Sequence, residues 1–125
     1  MRRLLMACLA LSVFTRLGAA SVQDPVKLDP KHYKVEFEND QVRVLRINYG
    51  PHEKSVMHDH PPNVAIFVTD GQARFTLHDG TTVTPPMKAG MAVWDPGGQH
   101  LPENTGDKPF EVILVELKTK AAKTK

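Results

Sequence analysis

Between Gly50 and Gly71 the chain reads GPHEKSVMHDHPPNVAIFVTDG. Val64–Thr69 (VAIFVT) is a short β-prone run closed by the turn pair Asp70-Gly71, which reads as a strand and its exit. His58 and His60 flank Asp59 just upstream. If that segment is extended, the two side chains project to one face, about 6–7 Å apart along the strand. Imidazoles so placed can converge on a metal ion at about 2.0–2.1 Å each. Pro61-Pro62, directly after His60, stiffens the turn that follows.

The alternation of short runs and turns continues on both sides. Upstream, His32–Glu38 (HYKVEFE) meets Asn39-Asp40, and Gln41–Tyr49 (QVRVLRINY) meets Gly50-Pro51. Downstream, Gln72–His78 (QARFTLH) meets Asp79-Gly80, and Ala92–Trp94 runs into Asp95-Pro96-Gly97-Gly98. Phe110–Lys118 (FEVILVELK) closes the body. Asp-Gly pairs between strands favour tight hairpins, because glycine accepts the positive φ of a type I′ turn. Short strands at this spacing, with no helical period, predict an all-β sandwich or barrel. In the last strand Phe110, Val112 and Leu114 point one way and Ile113, Val115 and Leu117 the other, so it is expected to be central and covered on both faces.

Length and composition limit the rest. At 125 residues, 41% hydrophobic and 24% charged, the chain makes one soluble domain with a core of its own. Its first twenty residues differ from the remainder. Arg2 and Arg3 precede an apolar run, Leu4–Phe14, and the small residues Gly18, Ala19 and Ala20, the pattern of a cleavable secretory signal. An apolar run of 11 is short of the roughly 20 residues that span a bilayer. An uncleaved anchor and a lipoprotein site at Cys8 are the alternatives, the second disfavoured by the short stretch before it. The expected product is periplasmic or secreted, cysteine-free and without disulfides, and has no membrane association once residues 1–20 are removed.

Removal of Arg2, Arg3 and Arg16 leaves 13 basic residues against 14 acidic ones, a net of −1. Four of the 13 are Lys118, Lys120, Lys123 and Lys125, so Ser21–Leu117 carries 9 basic and 14 acidic residues, a net of −5. The body therefore presents no basic face, and nucleic acid is excluded as a partner. The Lys-rich tail reads as a solvated terminus.

Of the six histidines in the chain, His32, His52 and His78 stand at a strand start or beside turns and read as surface or satisfied core residues. His100 stands in a second Gly-rich stretch, Gly90–Asn104 (GMAVWDPGGQHLPEN). Here the sequence resembles the cupin superfamily. The first motif of that family is a Gly, an HxH pair, a Glu four residues later and a Gly seven further on. Gly50, His58, His60 and Gly71 match it. Its second motif is a Gly, five residues, Pro-x-Gly, a spacer, a His, three residues and an Asn. Gly90, Pro96, Gly98, His100 and Asn104 fall in that order, with Gly98 and His100 one residue closer than usual. The resemblance covers Asp24 to Lys118 and is nearest to small single-domain bacterial cupins, including proteins linked to β-alanine breakdown.

The resemblance implies a jelly-roll β-barrel in which His58, His60 and His100 hold a divalent ion, Fe(II), Zn, Mn or Ni. The residues and the resemblance together divide the chain into 1–20 as signal peptide, 21–31 as an extended arm, 32–118 as the cupin domain and 119–125 as the tail. The resemblance also implies a small-molecule ligand at the barrel mouth and pairing of two copies into a homodimer through edge strands.

The family's glutamate falls at Val64, which cannot ligate a metal. Three neutral imidazoles then leave a divalent ion its full charge, with positions open for water, oxygen or a chelating anion. Three readings follow: an iron(II) oxygenase with a three-histidine site, a Lewis-acid enzyme using zinc, manganese or nickel, and a binding module without turnover. The expected substrate is a small anionic molecule. Catalytic residues are not assigned. Glu103, Glu53 and His52 read as loop or solvent residues, Gln99 as either a hydrogen-bonding contact to a ligand or the end of a turn, and Asn104 as a loop support. Trp94, Met57, Met87 and Met91 are expected in either a pocket or the core.

Overall fold

The computed structural model of the protein describes residues 23–119. The signal peptide expected over residues 1–20 lies outside the described residues, as do the first two residues of the arm and the tail beyond Thr119. Nine strands occur among the described residues: β1 (Tyr33–Glu38), β2 (Val42–Tyr49), β3 (His58–His60), β4 (Asn63–Phe67), β5 (Ala73–Leu77), β6 (Thr82–Val83), β7 (Ala92–Asp95), β8 (Gly98–Asn104) and β9 (Phe110–Leu117). All pairings are antiparallel. One sheet has the order β1-β2-β9-β4-β7 and the other β3-β8-β5-β6. The six strands expected from the sequence are present, their ends shifted by one or two residues. The two sheets form a jelly roll and do not close into one hydrogen-bonded cylinder.

The parity of each strand sets the core. From β2, Leu45, Ile47 and Tyr49 are buried; from β9, Phe110, Val112 and Leu114; from β4, Phe67; from β5, Ala73. Each large apolar side chain so enclosed stabilises the fold by about 1.5–3 kcal/mol. Strand β9 is central, between β2 and β4, as its composition implies. Its second face is less covered than expected. Ile113 and Val115 are half-buried and Leu117 is exposed, so this face meets solvent through the outside of the sheet.

Three local expectations change. The arm is not wholly extended, because Pro25–Leu28 form a one-turn helix, α1. Asp24 caps it by accepting from the Val26 N–H, and Pro25 occupies the first turn, where its missing N–H costs nothing. The two Asp-Gly pairs also differ. Asp79-Gly80 makes the β5–β6 hairpin, with Gly80 at φ +84°. Asp70-Gly71 does not make a hairpin, because β4 and β5 lie in different sheets. There Gly71 donates to the Met87 carbonyl, and a Cβ on it would press on Phe110 and Met87 at 3.0–3.1 Å. Finally, Gly98–Asn104 is a strand and not a loop.

The break before that strand carries the chain from one sheet to the other. β7 ends at Asp95 in the five-stranded sheet, and β8 begins at Gly98 in the four-stranded one. Gly97 takes φ +87° there, and a Cβ on it would lie 2.5 Å from the His60 carbonyl oxygen. Only glycine fits so close an approach.

Candidate metal centre

Strand register brings the three histidines together. In the β3–β8 pair His58 stands directly opposite His100, and His60 opposite Gly98. His58 and His60, two apart on one strand, share a face, and the cross-strand position adds His100 to it. One ring nitrogen from each lies within 4.8 Å of the others, and the set could hold a metal ion. His58 and His60 are buried, His100 half-buried.

Hydrogen bonds fix which nitrogens are free. His58 Nδ1 donates to the Val56 carbonyl at 2.8 Å, and His60 Nδ1 bonds Glu116 Oε1 at 2.7 Å. Both protons are thereby placed on Nδ1, leaving the Nε2 atoms with lone pairs. Those two Nε2 atoms face each other at 3.1 Å. Paired lone pairs at that distance repel unless a positive centre lies between them. His100 Nε2 is buried with no hydrogen-bond partner, an uncommon state for a buried polar atom. Ligands about 2.0–2.1 Å from one ion stand roughly 3–3.5 Å apart, close to the 3.1 Å between the Nε2 atoms of His58 and His60. Burial, helped by the neighbouring His60, pushes His58 down to about 4. The same causes, with His58 adding to them, push His100 down to about 3. Both rings are therefore neutral at pH 7, as metal ligation requires.

Glu116 is the residue that sequence reasoning missed. It ends the inward row Phe110, Val112, Leu114, Glu116 of β9 and is 2% exposed. Burial raises its carboxyl, but the hydrogen bonds from His60 and Arg43 outweigh that and hold it below the ordinary value. Arg43 Nε donates to Glu116 Oε2 at 2.5 Å, and its two terminal nitrogens donate to the Asp24 carboxylate at 3.1 Å. A chain of charge thus runs from α1 through Arg43 and Glu116 to His60. The sequence does signal it: Glu116 and Arg43 are in phase with the buried rows of β9 and β2, and a charged residue in a buried phase is informative.

Val64, where the family glutamate falls, does not face the site. It pairs with Val115 and Trp94, out of phase with Ala65 and Phe67, which line the interior. Its substitution therefore removes nothing from the interior. The carboxylate of this centre comes from β9 and meets Nδ1 of His60, away from the ligand nitrogens.

Beside the histidines a cavity of about 420 Å³ opens between the sheets, within the size range of small-molecule pockets. His60 and His100 stand at its wall, with Tyr33, Tyr49, Phe75 and Leu114 among the neighbours. Tyr33 and Tyr49 hydrogen-bond through their hydroxyls at 2.7 Å, and Tyr33 packs edge-on to His58 at 4.8 Å between ring centroids. Burial pushes both phenols up, so both keep their protons.

The sequence profile described as "Cupin domain" matches residues 45–116, a span that contains all three histidines and Glu116. The chain belongs to the cupin family. Among solved structures, this cupin is similar to a cupin domain from Bordetella pertussis Tohama I at 25% identity and TM-score 0.65, over 70% of this chain and 92% of that one. A cupin 2 conserved barrel protein from Salinispora arenicola matches at 24% identity and TM-score 0.55, over 74% and 80% of the two chains. A protein from Bacillus halodurans matches at 16% and 0.57, over 87% and 86%. No curated protein matches the chain.

The other residues singled out in the sequence are distributed as follows in the cupin. Trp94, Met87, Met91 and Gln99 line the cavity; Met57 is not among its lining residues. Glu103 pairs with Arg74 on the surface, and exposed His52 with Asp107. His78 is exposed. Asn104 is fully buried; it donates to the Gly50 and Lys108 carbonyls and accepts from the Gly106 N–H, as a loop support should. Glu53 is not a free solvent residue. It binds the Gly50 N–H, His32 and Lys31, and His32, also held by Asp29, stacks on Tyr49 at 4.3 Å.

Proposed function

We propose that this cupin is an exported, metal-dependent enzyme that binds one divalent ion through His58, His60 and His100 and acts on a small molecule held in the adjoining cavity. The observation that carries the reading is the set of three free imidazole nitrogens: two lone pairs 3.1 Å apart and one buried nitrogen without a partner. A bound divalent ion supplies a Lewis-acidic centre for an oxygen-donor ligand, and iron would add redox chemistry. The chain's own residues do the rest. Glu116 holds the Nδ1 proton of His60 and thereby fixes the ring's orientation. The Val56 carbonyl does the same for His58. Tyr33, Tyr49 and the apolar wall limit the water that reaches the histidines.

Metal analysis of protein purified without added metal, alongside His58→Ala and His100→Ala, tests the proposal. We expect close to one equivalent in the wild type and loss in both variants. A wild type that carries no metal and takes up none would overturn it. Oxygen uptake by anaerobically iron-loaded protein separates the oxygenase from the Lewis-acid enzyme. Export is tested by the mass of the periplasmic or secreted product, expected to begin near residue 21.

A binding module without turnover is the second reading. One observation favours it: apart from the histidines, Asp95 is the only ionisable carboxylate among the cavity residues, and it already accepts from the Gly97 N–H at 2.8 Å. Few groups remain to move protons.

A further inference from the structure

We infer that the molecule this site takes has a single oxygen-chelating head and an apolar body that carries no second anionic group. The inference rests on the proposed metal centre for the head. The body follows from the cavity wall alone.

That wall is built from Ile47, Phe67, Phe75, Leu77, Val112 and Leu114, with other apolar residues beside them. No Lys or Arg lines it. Every arginine among the described residues is already engaged elsewhere: Arg43 with Asp24 and Glu116, Arg46 with Glu36 and Glu111, Arg74 with Glu103. A second carboxylate or a phosphate on the ligand would thus be buried without a counter-charge, which is strongly unfavourable. Hydrogen-bonding capacity is also small. Tyr33 and Tyr49 use one proton on each other, Asp95 Oδ1 accepts from the Gly97 N–H, and Asp95 and Gln99 flank the break between β7 and β8, next to His100. Polar recognition is therefore concentrated at the histidine end. The anionic character expected from the sequence is confined to the atoms that would meet the metal.

Chemistry at the rim agrees with this. Val83 lines the cavity yet is 45% exposed, so it marks where the cavity meets solvent.

The test uses straight-chain alkyl hydroxamic acids of two to eight carbons as probes, titrated calorimetrically into zinc-loaded protein. Each methylene moved from water into an apolar wall contributes about 0.8 kcal/mol, about fourfold in affinity. We expect affinity to rise about fourfold per carbon until the cavity is full, with an increasingly negative heat-capacity change. An equal-length hydroxamate ending in a carboxylate should bind at least 100-fold more weakly, and Val83→Lys should recover at least tenfold of that loss. A flat chain-length series, or tighter binding of the carboxylate-ended probe to the wild type, overturns the inference.

Straight-chain alcohols titrated calorimetrically into metal-free protein separate the two proposals. Chain-length dependence there, in a protein that binds no metal, would uphold the apolar body while removing the metal centre. Its absence, in a protein that binds zinc normally, would remove the apolar body and leave the metal centre standing.

Discussion

Glu116 is buried between a histidine and an arginine, and its charge rather than its shape is what both need. Glu116→Gln keeps the volume but weakens the hydrogen bond to His60 Nδ1 and unbalances Arg43. Loss of such an orienting partner typically costs 10–100-fold in metal affinity. We expect a drop of that size in a chelator-competition titration, with the histidines still in place. The metal-free protein should also show a specific pH dependence. His58 and His100 have folded values near 4 and 3 against about 6.5 when unfolded. The unfolded chain therefore binds more protons between those limits, and stability falls as the pH falls through that window. Unfolding free energies from urea titrations at pH 7 and pH 5 should differ by an amount on the order of 3–4 kcal/mol, the more acidic sample being weaker. The carboxyls of Asp24, Asp29, Glu53 and Glu116 are held low, so they contribute mainly below that window. At this scale much was legible: spacing singled out His58 and His60, the family resemblance added His100, and Glu116 was legible in principle from strand parity. The partner it would meet was not, because Arg43 lies 73 residues away in sequence.

Parity also decides what happens at the element scale. Val64 sits on the outward row of β4, paired with Val115 and Trp94. Val64→Glu should therefore leave metal affinity within about twofold of wild type, because a solvated carboxylate outside the sheet is screened from the site. A marked gain in affinity on isothermal titration would mean that β4 presents the opposite face. Motif spacing pointed to Val64, but spacing counts residues and does not fix the phase of a strand; Asn63, Ala65 and Phe67 hold the inward phase. The Asp-Gly pairs teach the same lesson. Both favour a turn, yet only Asp79-Gly80 joins neighbouring strands. Which strands are neighbours is a property of sheet order, which local chemistry does not encode. The helix α1 was missed because one turn has no periodicity to read.

On the scale of the whole molecule, all three histidines belong to the four-stranded sheet, while Glu116 belongs to the five-stranded one. An all-β jelly roll was legible because the runs, turns and two motifs agree. The apolar cavity was not, since it exists only once the inward rows of two sheets face each other. A ligand that binds only the folded state stabilises it by mass action, about 4 kcal/mol at a thousandfold excess over Kd. We expect zinc to raise the melting temperature and a chelator to return it to the metal-free value, an effect absent in His100→Ala.

The His60–Glu116 bond has a further consequence, for motion rather than stability. It ties the two sheets to each other at the site, so any opening that parts them must break it. An ion held on His60 would make that opening rarer, and it would do so for amides far from the metal. Deuterium uptake along β9, whose N–H groups bond to β2 and β4, should then slow on metal loading as much as uptake along β3 and β8. In Glu116→Gln the slowing should stay within β3 and β8.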